Sequence, residues 1–449
     1  MTRPRHVIVI GAGAGGLAAT MDLTAAGVDV TLVERAEDVG GKMRLVHVNE
    51  TGINAGPTVF TMRWVFDALF QQSNASFDSE LALTPADRLA RHAWLDGSQL
   101  DLWADIDQSA DAIAAFSNSE NAKGYVQFCQ DSQAIFETLK STFINASKPG
   151  PFDLGLRIGL HRIHKLWQTR PFDTYWSRLA AYFSDPRLQQ LFGRYSTYVG
   201  SSPFLTPATL MLIAHVEQDG VWLVDGGMHA VARAMRGVAE RNGAVLRLGA
   251  DVAKILVKDR AVTGIELTTG ERIAADAVVF NGDSAALAQG LLGTDTTRAV
   301  TDTKPENRSL SALTWCAHAK VSGFDLDYHT VFFSDAYRDE FERIFQQRRV
   351  PETPTIYICA QDRGPAPQAD DRDRLLILVN APADGDRGFS EQDQSDALWQ
   401  KTRAHLAQYG LTVEADAPTK LTGPNGFNTL FPGTGGALYG RANHGPFAT

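Results

Sequence analysis

Four glycines and one acid near the N-terminus are of the types, and at the spacing, that bind a nucleotide. Gly11, Gly13 and Gly16 fit the pattern G-x-G-x-x-G, with Gly15 inside the same turn. The first glycine of this pattern allows a tight turn, the second lets backbone approach a pyrophosphate, and the third lets a helix pack closely on a strand. Glu34 follows about 20 residues later, where a carboxylate accepts hydrogen bonds from ribose hydroxyls. The pattern favours dinucleotide binding over a glycine-rich turn without a ligand.

A strand, a helix and a second strand must hold these residues in place. Residues 6–10 are mostly β-branched and apolar, which is typical of a buried parallel strand. Residues 17–27 predict a helix that ends at a glycine, and residues 28–33 predict the next strand. The N-terminus of such a helix directs free N–H groups and a positive dipole at a phosphate. This order of elements predicts a Rossmann-like domain.

A second glycine-rich turn narrows the choice of dinucleotide. Glu34 disfavours a 2′-phosphate, so FAD or NAD is expected rather than NADP. Gly41 lies between Gly40 and two cations, Lys42 and Arg44. Small residues let the backbone close over a diphosphate, which either cation neutralises. A plain NAD fold has no need of this turn, so FAD is favoured. The alternative is a solvated basic turn.

A third small-residue element follows at residues 55–58. Ala55 and Gly56 carry little bulk, so the backbone here, with Pro57, can lie against a flat ligand. Thr58 is predicted to cap a helix over residues 63–70. An ordinary turn and helix cap is the alternative interpretation.

These turns resemble those of a known family. The turn over residues 39–44 resembles that of FAD-dependent amine oxidases, protoporphyrinogen oxidases and carotenoid desaturases, with Lys42 where arginine is usual. Asn54 to Thr58 looks like the Asp-Ala-Gly-Pro-Thr element of bacterial phytoene desaturases, which borders the flavin. Four further segments look like the branch that acts on hydroxylated acyclic carotenoids, the 1-hydroxycarotenoid 3,4-desaturases or methoxyneurosporene dehydrogenases. They are residues 59–66, 89–94, 191–204 and 215–222.

The resemblance implies a fold, a cofactor and a reaction. It implies an α/β chain with a Rossmann-like FAD-binding domain of the glutathione-reductase and amine-oxidase type. A mixed-sheet substrate domain and a helical, membrane-associated region would be interleaved with it. The implied reaction forms a C3–C4 double bond in acyclic 1-hydroxy- or 1-methoxycarotenoids. The expected FAD-binding residues are Gly11, Gly13, Gly15, Gly16, Glu34, Gly41, Lys42, Arg44, Gly56, Pro57, Thr58, Val252 and Asp283.

The resemblance also divides the chain into parts. Residues 1–75 and 216–285 are expected to form the FAD-binding domain. Residues 76–215 are expected to form a helical substrate and membrane-associating region, and residues 286–449 the substrate domain. The family continues beyond the position equivalent to residue 449 with a segment that closes over the flavin, and this segment is expected to be absent here.

Composition limits the compartment and the partners. The formal net charge of −10 argues against nucleic acid as a partner. The three cysteines have no metal-ligand spacing, which predicts core thiols in a reducing cytoplasm and no metal site. The sequence predicts no spanning helix, and the N-terminus passes into the first strand without room for a signal peptide. We therefore expect the chain on the cytoplasmic side of the inner membrane.

A basic segment predicts how the chain reaches that membrane. Residues 154–170 contain no acid, several leucines and isoleucines, one tryptophan, and the cations Arg157, Arg162, Lys165 and Arg170. A basic amphipathic helix suits the headgroup region of an anionic bilayer. The alternative is a surface helix with a solvated basic face.

The sequence says less about the residues that would bind the substrate than about those that would bind the cofactor. Residues 171–216 are rich in aromatic side chains that could wall a slot for a polyene, although each alone is better explained as core. His215, Glu217 and His229 are more typical of structural residues than of catalytic ones. No catalytic base is identified, and reduced flavin would pass its electrons to oxygen or a quinone. A phytoene-type desaturase, an amine oxidase and a flavin- or carotenoid-binding protein without turnover remain as alternatives.

Overall fold

A computed structural model describes residues 5–140, 173–364, 371–388 and 395–445. The basic segment 154–170 lies outside these ranges, as do Pro171 and Phe172 of the aromatic stretch. Among the helices within the ranges, none combines the length and the apolar character that crossing a bilayer requires.

The strands and helices alternate along the chain. The strands are β1 (His6–Ile10), β2 (Asp29–Val33), β3 (Leu45–Val48), β4 (Thr51–Asn54), β5 (Leu83–Pro85), β6 (Arg88–Trp94), β7 (Gln99–Trp103), β8 (Trp222–Val224), β9 (Val245–Arg247), β10 (Val252–Lys258), β11 (Ala261–Leu267), β12 (Arg272–Ala274), β13 (Ala277–Phe280), β14 (Ser311–Ala319), β15 (Val321–Ser322), β16 (His329–Phe333), β17 (Ile356–Ala360), β18 (Asp373–Ala381), β19 (Thr412–Val413) and β20 (Thr419–Thr422). The α-helices are α1 (Ala14–Ala25), α2 (Arg63–Gln72), α3 (Phe77–Glu80), α4 (Ile106–Phe116), α5 (Ser119–Leu139), α6 (Tyr175–Tyr182), α7 (Pro186–Gly193), α8 (Leu212–Gln218), α9 (Met228–Arg241), α10 (Ser284–Ala288), α11 (Tyr337–Glu342), α12 (Ser395–Ala407) and α13 (Pro424–Leu430).

A parallel sheet of order β13-β1-β2-β9 lies at the N-terminal part of the molecule. β1 is central and buried because helices and the β10–β12 meander cover its two faces. The helix predicted over residues 17–27 begins earlier, at Ala14, because the glycine run itself enters the first turn. Its end is close to the expected one, and Gly27 has a φ of 75°. The sheet draws on residues 6–33 and 245–280, while the predicted boundaries at residues 75, 215 and 285 stay predictions.

A mixed sheet of order β20-β14-β18-β17-β16-β6-β7 forms the second large layer. β14 and β18 pair over nine residues each, from Ser311 opposite Ala381 to Ala319 opposite Asp373. One face packs on α12 through the aliphatic side chains of β14, β17 and β18. The other face packs on the helices at its β6–β16 end and on the β3–β4 hairpin at its β18–β14 end.

The sequence predicts a helical stretch from Ala110 to about Thr142, and the structure describes this stretch as far as residue 140. Two helices occupy the described part of this stretch, because the chain breaks at Ser117 and Asn118. The Asn118 side chain accepts a hydrogen bond from the Asn121 backbone nitrogen at 2.9 Å and so caps α5. The prediction of a helical stretch is therefore confirmed for the described residues, with an interruption at the capping residue.

Candidate active site

The first glycine turn joins β1, α1 and β2. Gly11 has a φ of 96°, and its backbone nitrogen donates to the Val33 carbonyl at 2.8 Å. A Cβ on Gly16 would stand 1.9 Å from the Gly11 carbonyl oxygen. Only glycine therefore lets α1 start against the end of β1. A Cβ on Gly13 or Gly15 would meet the side chain of Asn281, at 3.1 Å and 2.5 Å respectively.

Glu34 lies across this turn at the end of β2. Its Oε2 atom accepts a hydrogen bond from the Ala12 nitrogen at 2.7 Å, and its Oε1 atom accepts one from the Ala36 nitrogen at 2.9 Å. The carboxylate is half-buried. It is thus held beside the glycine turn, where a ribose attached to a bound pyrophosphate would lie.

The second glycine turn packs directly on the first. The Gly40 nitrogen donates to the Ala12 carbonyl at 2.9 Å, and a Cβ on Gly41 would stand 3.0 Å from the Gly13 Cα atom. His229 of α9 supports the turn from behind, with Nδ1 2.8 Å from the Met43 carbonyl oxygen and Nε2 3.0 Å from Asp38. This agrees with the structural role expected for His229.

Two cations of the second turn have no carboxylate within 4 Å in the described part of the chain. Lys42 donates to the Leu438 carbonyl and lies 5.3 Å from the Phe431 ring centroid. Arg44 lies 5.3 Å from the Phe427 ring centroid, and its buried Nη2 atom has no hydrogen-bond partner. Desolvation lowers the pKa of both side chains. An oxygen-rich or anionic ligand would satisfy them.

The third element contacts the second turn and corrects one prediction. A Cβ on Gly56 would stand 1.8 Å from the Lys42 carbonyl oxygen, so the backbones touch here. Thr58 does not cap α2, which starts at Arg63 after a left-handed Met62 and has no side-chain cap. The Thr58 hydroxyl instead lies 2.7 Å from the Tyr357 hydroxyl. The prediction failed because α2 begins five residues after Thr58, and the threonine hydroxyl contacts the mixed sheet instead.

Asn54 replaces the aspartate that the family resemblance suggests. Its Oδ1 atom accepts from the His229 nitrogen at 2.9 Å, and its Nδ2 atom donates to the Gly226 carbonyl at 3.2 Å. A carboxylate could not donate the second bond. Asn54 thus ties β4 to the start of α9 without adding a charge to the site.

Val252 and Asp283 lie on the second half of the nucleotide-binding sheet. Val252 begins β10, two residues after Ala250, whose nitrogen donates to the Glu34 carbonyl at 2.8 Å. Asp283 caps α10 through the Ala285 nitrogen at 3.0 Å, and its charge acts on Lys42 to raise the lysine pKa against the effect of burial. The flavin contacts expected of both residues stay predictions.

The aromatic residues near 175–204 mostly form core. Phe183 and Phe192 stack at 4.7 Å between ring centroids, and Tyr175 donates to the Phe192 carbonyl at 2.8 Å. Trp176 and Phe204 are only partly buried and lie 4.6 Å apart. The interpretation of single aromatics as core is confirmed for most of them. The partly buried pair remains a candidate wall for a slot.

Three polar side chains near this core, two of them buried and one partly buried, were not predicted as site residues. They are Arg194, His329 and Tyr357, all on or beside the mixed sheet. His329 Nδ1 lies 2.7 Å from the Tyr357 hydroxyl, which also contacts Thr58. The sequence holds no local signal for this contact, because Thr58 and Tyr357 are 299 residues apart.

The three buried cysteines bear out the prediction of core thiols. Cys129, Cys316 and Cys359 are all unpaired and buried. Burial raises the pKa of Cys316 to about 11 and that of each of the other two to about 12. Protonated thiols of this kind are poor nucleophiles. Within the described ranges, no cluster of His, Cys, Asp or Glu could hold a metal ion.

The parallel sheet, the paired glycine turns and two cations without a carboxylate partner among the described residues together define a dinucleotide-binding site of the kind that oxidoreductases use. A Cβ at Gly16 or Gly56 would clash with the neighbouring backbone, so both turns require glycine. The buried Nη2 atom of Arg44 has no acceptor in the described part of the chain. The residues present therefore fit a flavin dinucleotide. The model of the family "Flavin containing amine oxidoreductase" matches residues 14–425. The chain belongs to this family, which confirms flavin as the cofactor and oxidoreduction as the activity.

Individual relatives narrow the comparison. A hydroxyneurosporene desaturase from Rubrivivax gelatinosus is 48% identical over 99% of this chain and 85% of its own length. A hydroxyneurosporene desaturase from Rhodobacter capsulatus is 42% identical over 100% of this chain and 90% of its own length. A phytoene desaturase from Cercospora nicotianae is 28% identical over 87% of this chain and 63% of its own length. The resemblance to carotenoid desaturases is thereby confirmed.

Solved structures agree on the fold. A redesigned putrescine oxidase has a TM-score of 0.61 at 14% identity and covers 99% of this chain and 89% of its own. An oxidoreductase from Methanosarcina mazei has a TM-score of 0.57 at 14% identity and covers 99% of both chains. The predicted α/β fold of the amine-oxidase type is confirmed, whereas its membrane-associated helical part stays a prediction.

Proposed function

We propose that the chain is an FAD-dependent desaturase that introduces the C3–C4 double bond into acyclic 1-hydroxy- or 1-methoxycarotenoids during carotenoid biosynthesis. The observation that carries the proposal is the 48% identity, over 99% of the chain, to a relative named hydroxyneurosporene desaturase. The unpaired Arg44 nitrogen beside the two glycine turns and the apolar helical core both support the proposal.

Desaturation removes a hydride and a proton from adjacent carbons. Flavin, when bound, supplies the hydride acceptor, and oxygen or a membrane quinone is the proposed final electron acceptor. The protein's part is to hold the polyene in a slot from which water is excluded. The aromatic core beside β6 and β16 provides such an apolar wall, with Trp176 and Phe204 on its accessible side.

The residues proposed to bind FAD are those that the two glycine turns and their neighbours bring together. Glu34 would bind the ribose, and Lys42 and Arg44 would face oxygens of the cofactor. The remaining proposed contacts are made by Gly11, Gly13, Gly15, Gly16, Gly41, Gly56, Pro57, Thr58, Val252 and Asp283.

The reaction itself is tested by following the polyene absorption. Purified chain, FAD and hydroxyneurosporene in liposomes are expected to give one product with bands shifted to the red by one conjugated double bond. Bound flavin per chain is measured in the same sample. No shift despite stoichiometric flavin would contradict the proposal and favour a binding protein without turnover.

A phytoene-type desaturase is the second candidate, since a phytoene desaturase is among the relatives at 28% identity. The same assay with phytoene separates the two. The main proposal expects hydroxyneurosporene to be the better substrate, whereas several successive red shifts from phytoene would favour the alternative.

We also propose that the chain acts at the cytoplasmic surface of the inner membrane, attached through residues 154–170. The support is the absence of acids and the presence of four cations in that segment of an otherwise acidic protein. Flotation with anionic liposomes is expected to fall when Arg157, Arg162 and Lys165 are changed together to glutamate. Equal flotation of the variant and the unchanged chain would contradict the proposal.

A further inference from the structure

A buried polar cluster lies on one face of the mixed sheet, between two apolar regions. Val331 of β16 is the register partner of His92 on one side and of Tyr357 on the other. His329 is two residues before Val331, so all four side chains share a face of the sheet. The helical core covers this face at β6 and β16, and the β3–β4 hairpin covers it at β17 and β18, with Tyr357 packing against both.

A chain of hydrogen bonds enters this cluster from the third small-residue element. The Thr58 hydroxyl lies 2.7 Å from the Tyr357 hydroxyl, and that hydroxyl lies 2.7 Å from His329 Nδ1. The chain then stops, because the buried Nε2 atom of His329 has no partner in the described part of the molecule. His329 is only 4% exposed, so bulk water does not replace the missing partner.

Arg194 adds an unusual cation to the cluster. It is 9% exposed, has no carboxylate within 4 Å among the described residues, and its Nε atom is unpaired. Glu217 accepts hydrogen bonds from the hydroxyls of Tyr195 and Tyr198, at 3.2 Å and 3.1 Å, and its charge acts on Arg194 from beyond ion-pair distance. The Arg194 guanidinium lies 5.2 Å from the Tyr198 ring centroid. Burial lowers the pKa of the His92 and His329 imidazoles, and the charge of Arg194 lowers it further, to about 3 in each case.

The unpaired atoms call for a polar ligand. His92 Nε2 and the Tyr337 hydroxyl are also buried without partners, and the charge of Arg194 reaches both residues. Native proteins pair nearly all buried polar atoms, so a group of unpaired ones in one region requires an explanation. Both imidazoles are neutral, and the set offers hydrogen-bond donors as well as acceptors. Such a set suits an oxygen-bearing group such as a hydroxyl better than a hydrocarbon.

We propose that His329, Tyr357 and Arg194 bind the oxygen substituent on carbon 1 of the carotenoid and so determine the specificity of the desaturase. The inference rests on the proposed function, in which only two carbon–carbon bonds separate carbon 1 from carbon 3. The oxygen must therefore lie near the reacting carbons. The hydrogen-bond chain begins at Thr58, in the element expected to border the flavin, and ends at His329.

The site also explains how a substrate without the oxygen would be rejected. A hydrocarbon end in this position would leave the buried donors and acceptors unpaired. Sites built around a substrate hydroxyl discriminate against the analogue that lacks it by a far larger factor than apolar pockets do. A methoxyl group would satisfy the donors alone, because it has no proton to give.

The test compares hydroxyneurosporene with neurosporene, its analogue without the hydroxyl, in the flavin-loaded enzyme. Tyr357→Phe removes the hydroxyl shared by Thr58 and His329 and keeps the ring. We expect its kcat/KM for hydroxyneurosporene to fall on the order of 100-fold while that for neurosporene is unchanged or rises. His329→Leu is the second variant. It should also lower the ratio of kcat/KM for hydroxyneurosporene to kcat/KM for neurosporene. Tyr328→Phe is the matched control on the same sheet and should leave the ratio unchanged.

The outcomes separate the inference from the function on which it rests. If the unchanged enzyme desaturates hydroxyneurosporene selectively and both variants keep that selectivity, the inference is overturned and the function stands. If the unchanged enzyme does not act on hydroxyneurosporene, the function itself fails. An equal loss on both substrates would show a structural role and would also overturn the inference. Flavin content per chain identifies a variant that does not fold, in which case the other variant decides.

Discussion

Arg44 shows, at the scale of one residue, that the apoprotein holds a binding group before any ligand is present. Its Nη2 atom is buried and unpaired, although its side chain packs over the Phe427 ring. An unpaired buried donor costs ~1–3 kcal/mol, and more when it carries charge. The residue therefore lowers the stability of the empty protein and gains its partner only when a ligand binds.

Arg44→Met should separate these two effects. Methionine keeps an apolar stem over Phe427 and removes the unpaired charge, so the free energy of unfolding of the apoprotein should stay equal or rise. Flavin binding should weaken at least ~10-fold, since a hydrogen bond to a charged group contributes ~1.5–3 kcal/mol. Urea unfolding and flavin titration measure the two quantities. Arg63→Met, which removes the exposed pairs with Asp67 and Asp78, is the control for flavin affinity. A less stable apoprotein with unchanged flavin affinity would contradict this account.

Glu340 predicts a dependence of stability on pH. It is 1% exposed, accepts hydrogen bonds from the Thr355 nitrogen and from Asn380, and burial raises its pKa to about 7. The folded state thus holds the proton more tightly than the unfolded chain, whose glutamate titrates near ~4.3. The stability that this proton contributes is complete below ~4.3, declines as the pH rises, and is lost above about 7.

Glu340→Gln should remove that dependence. Relative to the variant, the unchanged protein should lose up to ~3 kcal/mol of unfolding free energy between pH ~5 and ~8. Urea unfolding of both proteins at several pH values in this window measures the difference. Glu240→Gln, at an exposed position of α9, is the control. The difference in unfolding free energy between this variant and the unchanged protein should be the same at every pH in the window. A constant difference for Glu340→Gln as well would refute the argument.

Two glycines inside helices make opposite predictions at the scale of the element. A Cβ on Gly124 of α5 would stand 1.9 Å from the Tyr182 carbonyl oxygen at the end of α6, so the two helices meet there by backbone contact. A Cβ on Gly237 of α9 would stand 3.3 Å from one Arg241 nitrogen, at the far end of a flexible side chain. Both positions carry the ordinary entropic cost of a helical glycine.

Alanine at each position tests the contact between the helices. Gly237→Ala should stabilise the protein by ~0.5–1 kcal/mol, since alanine is the better helix former. Gly124→Ala should destabilise it by ~1–3 kcal/mol, because α5 and α6 must separate to admit the methyl group. Thermal and urea unfolding give both values. Stabilisation of similar size at both positions would mean that the helices are not held together at Gly124.

At the scale of the whole molecule, the sequence predicts the local parts well and the distant contacts poorly. β1, α1 and β2 follow from a strand–turn–helix pattern in which every signal lies within a few residues of its effect. The break between α4 and α5 falls in the polar run at residues 117–120, where Asn118 supplies the cap, and helical spacing alone does not reveal it. The contact from Thr58 to Tyr357 and His329 depends on how a loop packs on the mixed sheet, and no periodicity encodes that packing.

The candidate flavin site is assembled from segments far apart in the chain. The Glu34 carboxylate and the Gly40 nitrogen both bond to Ala12, while Arg35 donates to the Thr429 carbonyl at 2.7 Å. β13, which leads to Asp283, pairs with β1 in parallel. A ligand that contacts residues 11–44, 277–285 and 424–438 binds only when all three segments are ordered. Its binding energy must therefore stabilise all three.

Flavin should therefore protect the three segments as one unit. At a free FAD concentration of ~100 times Kd, the free energy of unfolding should rise by ~2.7 kcal/mol. Backbone amide exchange should slow in residues 11–44, in 277–285 and in 424–438 to a similar degree. Gly16→Ala, whose methyl group would meet the Gly11 carbonyl at 1.9 Å, should bind no flavin and show neither effect. Protection confined to the glycine turn in the unchanged protein, without a gain in stability, would mean that the segments bind the cofactor independently.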